Sequence, residues 1–201
     1  MSIGKKTKLF SCGWILFLTL AVTNPVSAAA DDELRGFTDD ARKISTQLLG
    51  QIRGELLKEL ERTGPIRSVV VCKYSVPEIT SGLSRQTGMR VTRVTLRPRN
   101  RALGDPDPWE QKVLLDFERR VAKGEKADAL EFSELVQEPA GKAYRYLKAI
   151  PMAQVCMACH GPVNQISEGV RALLSTEYPM DIATDYLVGQ VRGAVSVKKS
   201  Y

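Results

Sequence analysis

The tightest constraint on this chain is the pentapeptide Cys156-Met157-Ala158-Cys159-His160. Two thiols two residues apart, with an imidazole directly behind them, must share one short turn if all three serve a single group. A c-type haem makes that demand: each thiol adds across one vinyl group of the porphyrin, and the adjoining histidine binds the iron from the proximal side. Met157 and Ala158 permit such a turn, and Gly161-Pro162 ends it. Two other readings compete. A redox-active C-x-x-C dithiol opens a helix after a strand of a βαβ unit, and a Cys₃His zinc set can be drawn from Cys72, Cys156, Cys159 and His160. Zinc suits the spacing poorly, because chain neighbours such as Cys159 and His160 rarely both reach one tetrahedral ion.

The N-terminus carries the three-part layout of a secretory signal peptide: Lys5, Lys6 and Lys8, an apolar run from Trp14 to Val22, and small or polar residues from Asn24 to Ala30. Cleavage is expected after Ala28 or Ala30, giving a signal at 1–28 and one mature domain at 31–201. The apolar run is shorter than the roughly 20 residues of a spanning helix, so no stable membrane anchor is expected after cleavage. Haem of the c type is attached outside the cytoplasmic membrane, so export and motif agree on a periplasmic or equivalent location. Removing three lysines and no acids takes the formal charge from +6 to +3. A balance this mild does not call for nucleic acid.

About 170 residues remain, enough for one domain with a sizeable core. Leu34, Phe37, Ala41, Ile44, Leu48, Ile52, Leu56 and Leu60 recur every three or four positions, predicting one amphipathic helix over 31–63, stopped by Gly64-Pro65. Ile66 to Val71 reads as a buried strand or a helix end. Pro77 to Gln86 is a short helix and Met89 to Arg97 a strand. Asp107-Pro108-x-Glu110 is an N-cap, N1 and N3 set opening a helix whose buried face is Trp109, Val113, Leu114, Phe117 and Val121. Strands are expected over 130–137 and 143–150, the second running straight into the pentapeptide. A helix over 166–176, an irregular stretch over 181–186 and a last strand over 193–199 follow. Helices with antiparallel strands in this mixture predict an α+β fold, unlike the small all-helical cytochromes.

His160 is the sole histidine, so a second histidine from the same subunit cannot hold the iron from the other side. Distal candidates are Cys72, Met89, Met152, Met180, a lysine or water. Cys72 reads equally as a small buried hydrophobe. A thiolate lowers the iron potential and a methionine raises it. The arginines on and after the 89–97 strand are either solvated charge or, for Arg97, Arg99 and Arg101, candidates to grip haem propionates, since guanidinium matches a carboxylate bidentately.

The order Cys72 after an apolar run, Val94-Thr95-Leu96-Arg97-Pro98-Arg99-Asn100, Asp107-Pro108-Trp109-Glu110, Tyr146-Leu147-Lys148, Cys156-x-x-Cys159-His160-Gly161, Tyr178-Pro179-x-Asp181 and Val191-Arg192-Gly193-Ala194 resembles the PAS-like periplasmic c-type haem domains, a family of unknown function. The resemblance spans nearly the whole mature chain. It implies a five-stranded antiparallel sheet flanked by helices, one covalent haem c, and axial ligation by His160 (proximal) and Cys72 (distal). Arg101, Ala149 and Asp185 depart from the family pattern, Asp185 standing where glycine is common.

Two functional classes follow. One is a mono-haem electron carrier or redox module; the other is a sensor of redox state or of a diatomic gas such as NO or CO. Each requires a redox or signalling protein partner. No kinase, cyclase or receptor region follows Tyr201, which favours electron transfer. No catalytic constellation stands beside the haem ligands, so an enzyme is not expected.

Overall fold

The computed structural model describes Met1 and residues 25–201. The basic and apolar leader expected at the N-terminus lies outside the described residues, apart from Met1 and the segment that follows residue 24. Helix α1, Pro25–Thr63, carries the predicted stripe. Its first half buries Phe37, Ala41, Ile44 and Leu48 against Tyr144, Tyr146, Val195 and Val197. Phe37, Ile44 and Leu48 each contribute roughly 1.5–3 kcal/mol when fully removed from water. No described helix is long and apolar enough to cross a membrane.

After Gly64 at φ 78, α2 (Pro65–Val70), a five-residue π turn (Val71–Ser75) and α3 (Val76–Thr87) follow without a break in helical backbone. The short apolar run over 66–71 is thus a helix end and not a strand. The π turn has a local cause. Pro77 has no N–H to give the carbonyl four residues back, and its ring crowds that carbonyl in a regular helix. Widening the preceding turn, so that Val76 N–H bonds Val71 O, relieves the conflict and re-aims the residues within it.

The sheet has four antiparallel strands: β1 (Arg90–Val94), β2 (Glu131–Glu138), β3 (Gly141–Pro151) and β4 (Val191–Ser200), in the order β1-β4-β3-β2. The fifth strand implied by the family resemblance has no counterpart among the described residues. Val94 faces Ala194, Tyr146 faces Val197, and Phe132 faces Leu147 in register. Because side chains alternate across a strand, Tyr144, Tyr146, Val195 and Val197 meet α1, whereas Leu147, Ala149 and Ala194 meet α5 (Pro108–Ala122) through Val113, Leu114 and Phe117. The predicted capping box on α5 is present: Asp107 Oδ1 accepts from Glu110 N–H at 2.9 Å, and Glu110 Oε2 accepts from Asp107 N–H at 2.8 Å. Short helices α4 (Arg101–Gly104), α6 (Met157–His160) and α7 (Glu168–Glu177) complete the chain.

Candidate functional site

As predicted, β3 delivers the pentapeptide: it ends at Pro151, and the chain passes through a 3-10 turn at Gln154–Cys156 into α6. The turn is pinned from both ends. Met152 N–H bonds Gln190 O at 2.8 Å and Gly161 N–H bonds Met157 O at 3.0 Å. A Cβ at position 161 would lie 2.7 Å from Met157 O, so only glycine closes this turn without displacing its backbone.

The segment after α7 clamps the histidine. His160 Nδ1 lies 2.6 Å from Ala183 O. A carbonyl only accepts, so Nδ1 carries the proton and Nε2 keeps its lone pair, the state in which an imidazole binds metal. Tyr186 N–H bonds His160 O at 3.0 Å and Asp185 N–H bonds Gly161 O at 2.8 Å. Asp185 itself has φ 58, which explains the glycine preference at this place in the family pattern. Its carboxylate compensates by accepting from Val163 N–H at 3.0 Å. Burial, and then the charges of Arg192, Arg99 and Arg93, push His160 well below the usual imidazole range, so it is neutral at physiological pH.

His160 and the two pentapeptide thiols line a cavity of about 730 Å³, within the size range of cofactor pockets. Cys156, Cys159 and His160 form one side; Val69, Cys72 and Val76 come from α2, the π turn and the start of α3. Leu49, Ile52, Leu56 and Leu60, the second half of the α1 stripe, cover it. Of the distal candidates named from sequence, Cys72 lines the cavity and the methionines do not. Met152 is buried beneath Ala183 and Tyr186, Met89 packs into the core under α1, and Met180 is exposed.

The competing chemistries fit less well. The described residues contain no group of three or more His, Cys, Asp or Glu side chains placed to hold a metal ion, which removes the zinc set. No disulfide joins Cys72, Cys156 and Cys159. Burial pushes the Cys159 thiol up to about 11, against the opposing pull of Arg99, and the pentapeptide follows a strand of an antiparallel sheet, not the βαβ unit in which redox dithiols sit.

The arginines singled out from sequence part company. Arg99 lines the cavity, but its Nε donates to Asp181 Oδ2 at 2.8 Å and its Nη2 to Cys159 O at 2.5 Å. It therefore ties the pentapeptide to Asp181, whose Oδ1 accepts from Ala183 N–H at 2.8 Å. Arg97 lies outside the lining: its guanidinium donates to Ile182 O and Thr184 O and stacks 4.3 Å from the Tyr186 ring centre. Arg101 is the exposed first residue of α4. Arg192, which sequence reasoning did not single out for chemistry, lines the cavity beside Arg93. Burial holds its guanidinium down at about 10, with Tyr186 acting the other way and Arg93 and Arg99 adding to the depression.

A search of curated proteins finds no match. A solved structure described as the cyanobacterial heme-protein Tll0287 superposes with a TM-score of 0.58 at 21% identity, over 89% of this chain and 97% of that one. At that identity the likeness speaks for the fold alone, and it agrees with the α+β arrangement described above. The model of the Tll0287-like family matches residues 23–200, bearing out the family resemblance seen in the sequence; the chain belongs to the Tll0287-like family.

Proposed function

We propose that this protein is an exported mono-haem c-type cytochrome that acts in electron transfer or as a redox module for a protein partner. The observation that carries the reading is the convergence of Cys72, Cys156, Cys159 and His160 on one apolar cavity with an arginine-rich wall. Membership of a family with a haem protein among its solved relatives supports it. Cys156 and Cys159 would hold haem c by thioether bonds, with His160 proximal and Cys72 distal. When bound, the haem supplies a one-electron iron couple.

The chain's own residues do the rest. Ala183 O fixes the His160 tautomer and raises the electron-donating power of Nε2. Arg99 and Asp181 hold the α6 turn against the 178–186 segment. The leucines of α1 and Val69 surround the site with apolar surface, which lowers the local dielectric and so would set redox properties together with the sulfur of Cys72. No general acid or base is required of them, in keeping with a role other than catalysis.

The test is expression in a host competent for c-type maturation. Wild type should retain one haem through denaturing electrophoresis and mass spectrometry, and Cys156→Ser with Cys159→Ser should lose it. A wild-type chain that leaves such a host without bound haem would overturn the proposal.

A further inference from the structure

The cavity wall is electrically lopsided. Its charged lining residues are Arg85, Arg90, Arg93, Arg99 and Arg192 against the single carboxylate Glu78. Arg85, Arg90 and Glu78 are solvent-exposed, so water screens them. The three deeper cations differ in their partners. Arg99 is neutralised by Asp181. Arg93 and Arg192 have no carboxylate partner among the described residues. Arg192 uses one guanidinium nitrogen on neutral acceptors, with Nη1 3.1 Å from Thr95 Oγ1 and 3.4 Å from Arg97 O. Two cations therefore remain uncompensated beside His160, in surroundings that make an unpaired charge costly.

The backbone shows that this placement is built in. Arg192 precedes Gly193, where φ is 156 and a Cβ would sit 2.4 Å from Val94 O. That close approach brings the start of β4 onto the end of β1, and Thr95 Oγ1 secures it by donating to Arg192 O at 2.8 Å. Arg93 is opposite Val195 in the same strand pair. The two guanidinium groups are thus carried by adjacent strands of a rigid sheet, not by a loop.

We infer that Arg93 and Arg192 form a dicarboxylate-binding subsite that holds the two haem propionates, in place of Arg97 and Arg99, whose guanidinium groups are already committed to the protein. The inference rests on the haem reading above. Two propionates carry the two negative charges the wall lacks, and guanidinium–carboxylate bonds are charge-assisted.

The experiment separates the two claims. Full-length Cys156→Ala/Cys159→Ala protein, which binds without thioether bonds, is titrated with haemin and with haemin dimethyl ester. The ester keeps the macrocycle and lacks the charges. The parent should bind the ester at least roughly tenfold more weakly, the scale of one charge-assisted hydrogen bond lost. Adding R192Q or R93Q should shrink that ester penalty, adding both should bring it to near unity, and adding R97Q should leave it intact. R93Q covers the case in which R192Q fails to fold. An ester penalty equally large in R93Q and the parent would overturn the subsite and leave the haem reading standing. Failure of the parent to bind haemin, together with absence of covalent haem in the wild type, would remove both.

Discussion

At the scale of single residues, the site depends on buried polar groups that satisfy one another in a chain: Cys159 O to Arg99, Arg99 to Asp181, Asp181 to Ala183 N–H, and Ala183 O to His160. The Arg99 and Asp181 side chains are only 7% and 10% exposed. Removing one member of such a pair leaves the other buried and uncompensated. Asp181→Ala should therefore cost about 3 kcal/mol or more, read as a lower urea midpoint at unchanged slope. A loss below about 1 kcal/mol, the range of exposed pairs, would show that Arg99 finds other partners and that the chain of bonds is not cooperative. The pentapeptide was legible in the sequence as one short turn because adjacency alone brings its two thiols and the imidazole together. Asp181 and Ala183 were not legible as partners, since their roles arise from a fold-back of the chain that no local pattern encodes. Arg192 escaped notice for a similar reason: it lies at the register shift where β4 passes Ile150 and Pro151 of β3, and no local pattern announces that it lines the cavity.

At the scale of elements, α1 is fastened to the sheet by charge as well as by its apolar stripe. Arg42 Nη2 donates to Glu131 Oε1 at 2.6 Å, and Tyr146 Oη donates to Glu131 Oε2 at 2.8 Å. The Arg42 bonds, opposed by burial and helped by Tyr146, hold Glu131 below its ordinary 4.5. This stabilisation is present above about 4.5 and is lost as pH falls through the lowered folded value. Tyr146 behaves in the opposite sense: burial, then its bond to Glu131, raises it above 10.0, so its contribution holds below that value and is lost as pH climbs. Stability should form a plateau between these limits. Glu131→Gln should flatten the acid limb of urea midpoint against pH; an unchanged acid limb would assign that limb to other carboxylates. The periodic stripe and the Asp107–Glu110 cap made α1 and α5 readable from sequence. The 66–71 run was ambiguous because six apolar residues suit a strand or a helix end equally. The π turn had no signal beyond Pro77, since a one-residue slip in hydrogen bonding changes no residue preference.

At the scale of the whole molecule, one helix serves two purposes along its length. The first half of α1 seals the sheet, and its second half, with the Val69–Val76 segment, roofs the cavity. Filling that cavity should order the roof and leave the sheet untouched. Amide exchange over 49–60 and 69–76 should slow at least tenfold, about 1.4 kcal/mol, in haem-loaded protein relative to the Cys156→Ala/Cys159→Ala chain, with β3 and β4 unchanged. Equal exchange in both would mean that the roof is formed without the haem.

In the proposed function, Cys72 and His160, which line the same cavity, would both bind the haem iron. The most direct test of that ligation is the pair of optical and electron paramagnetic resonance spectra of oxidised, haem-loaded wild type and Cys72→Ala. Low-spin thiolate features in the wild type that vanish in the variant are the predicted result. Identical spectra from the two proteins would contradict it, and would make Cys72 a wall residue of an open or differently ligated haem.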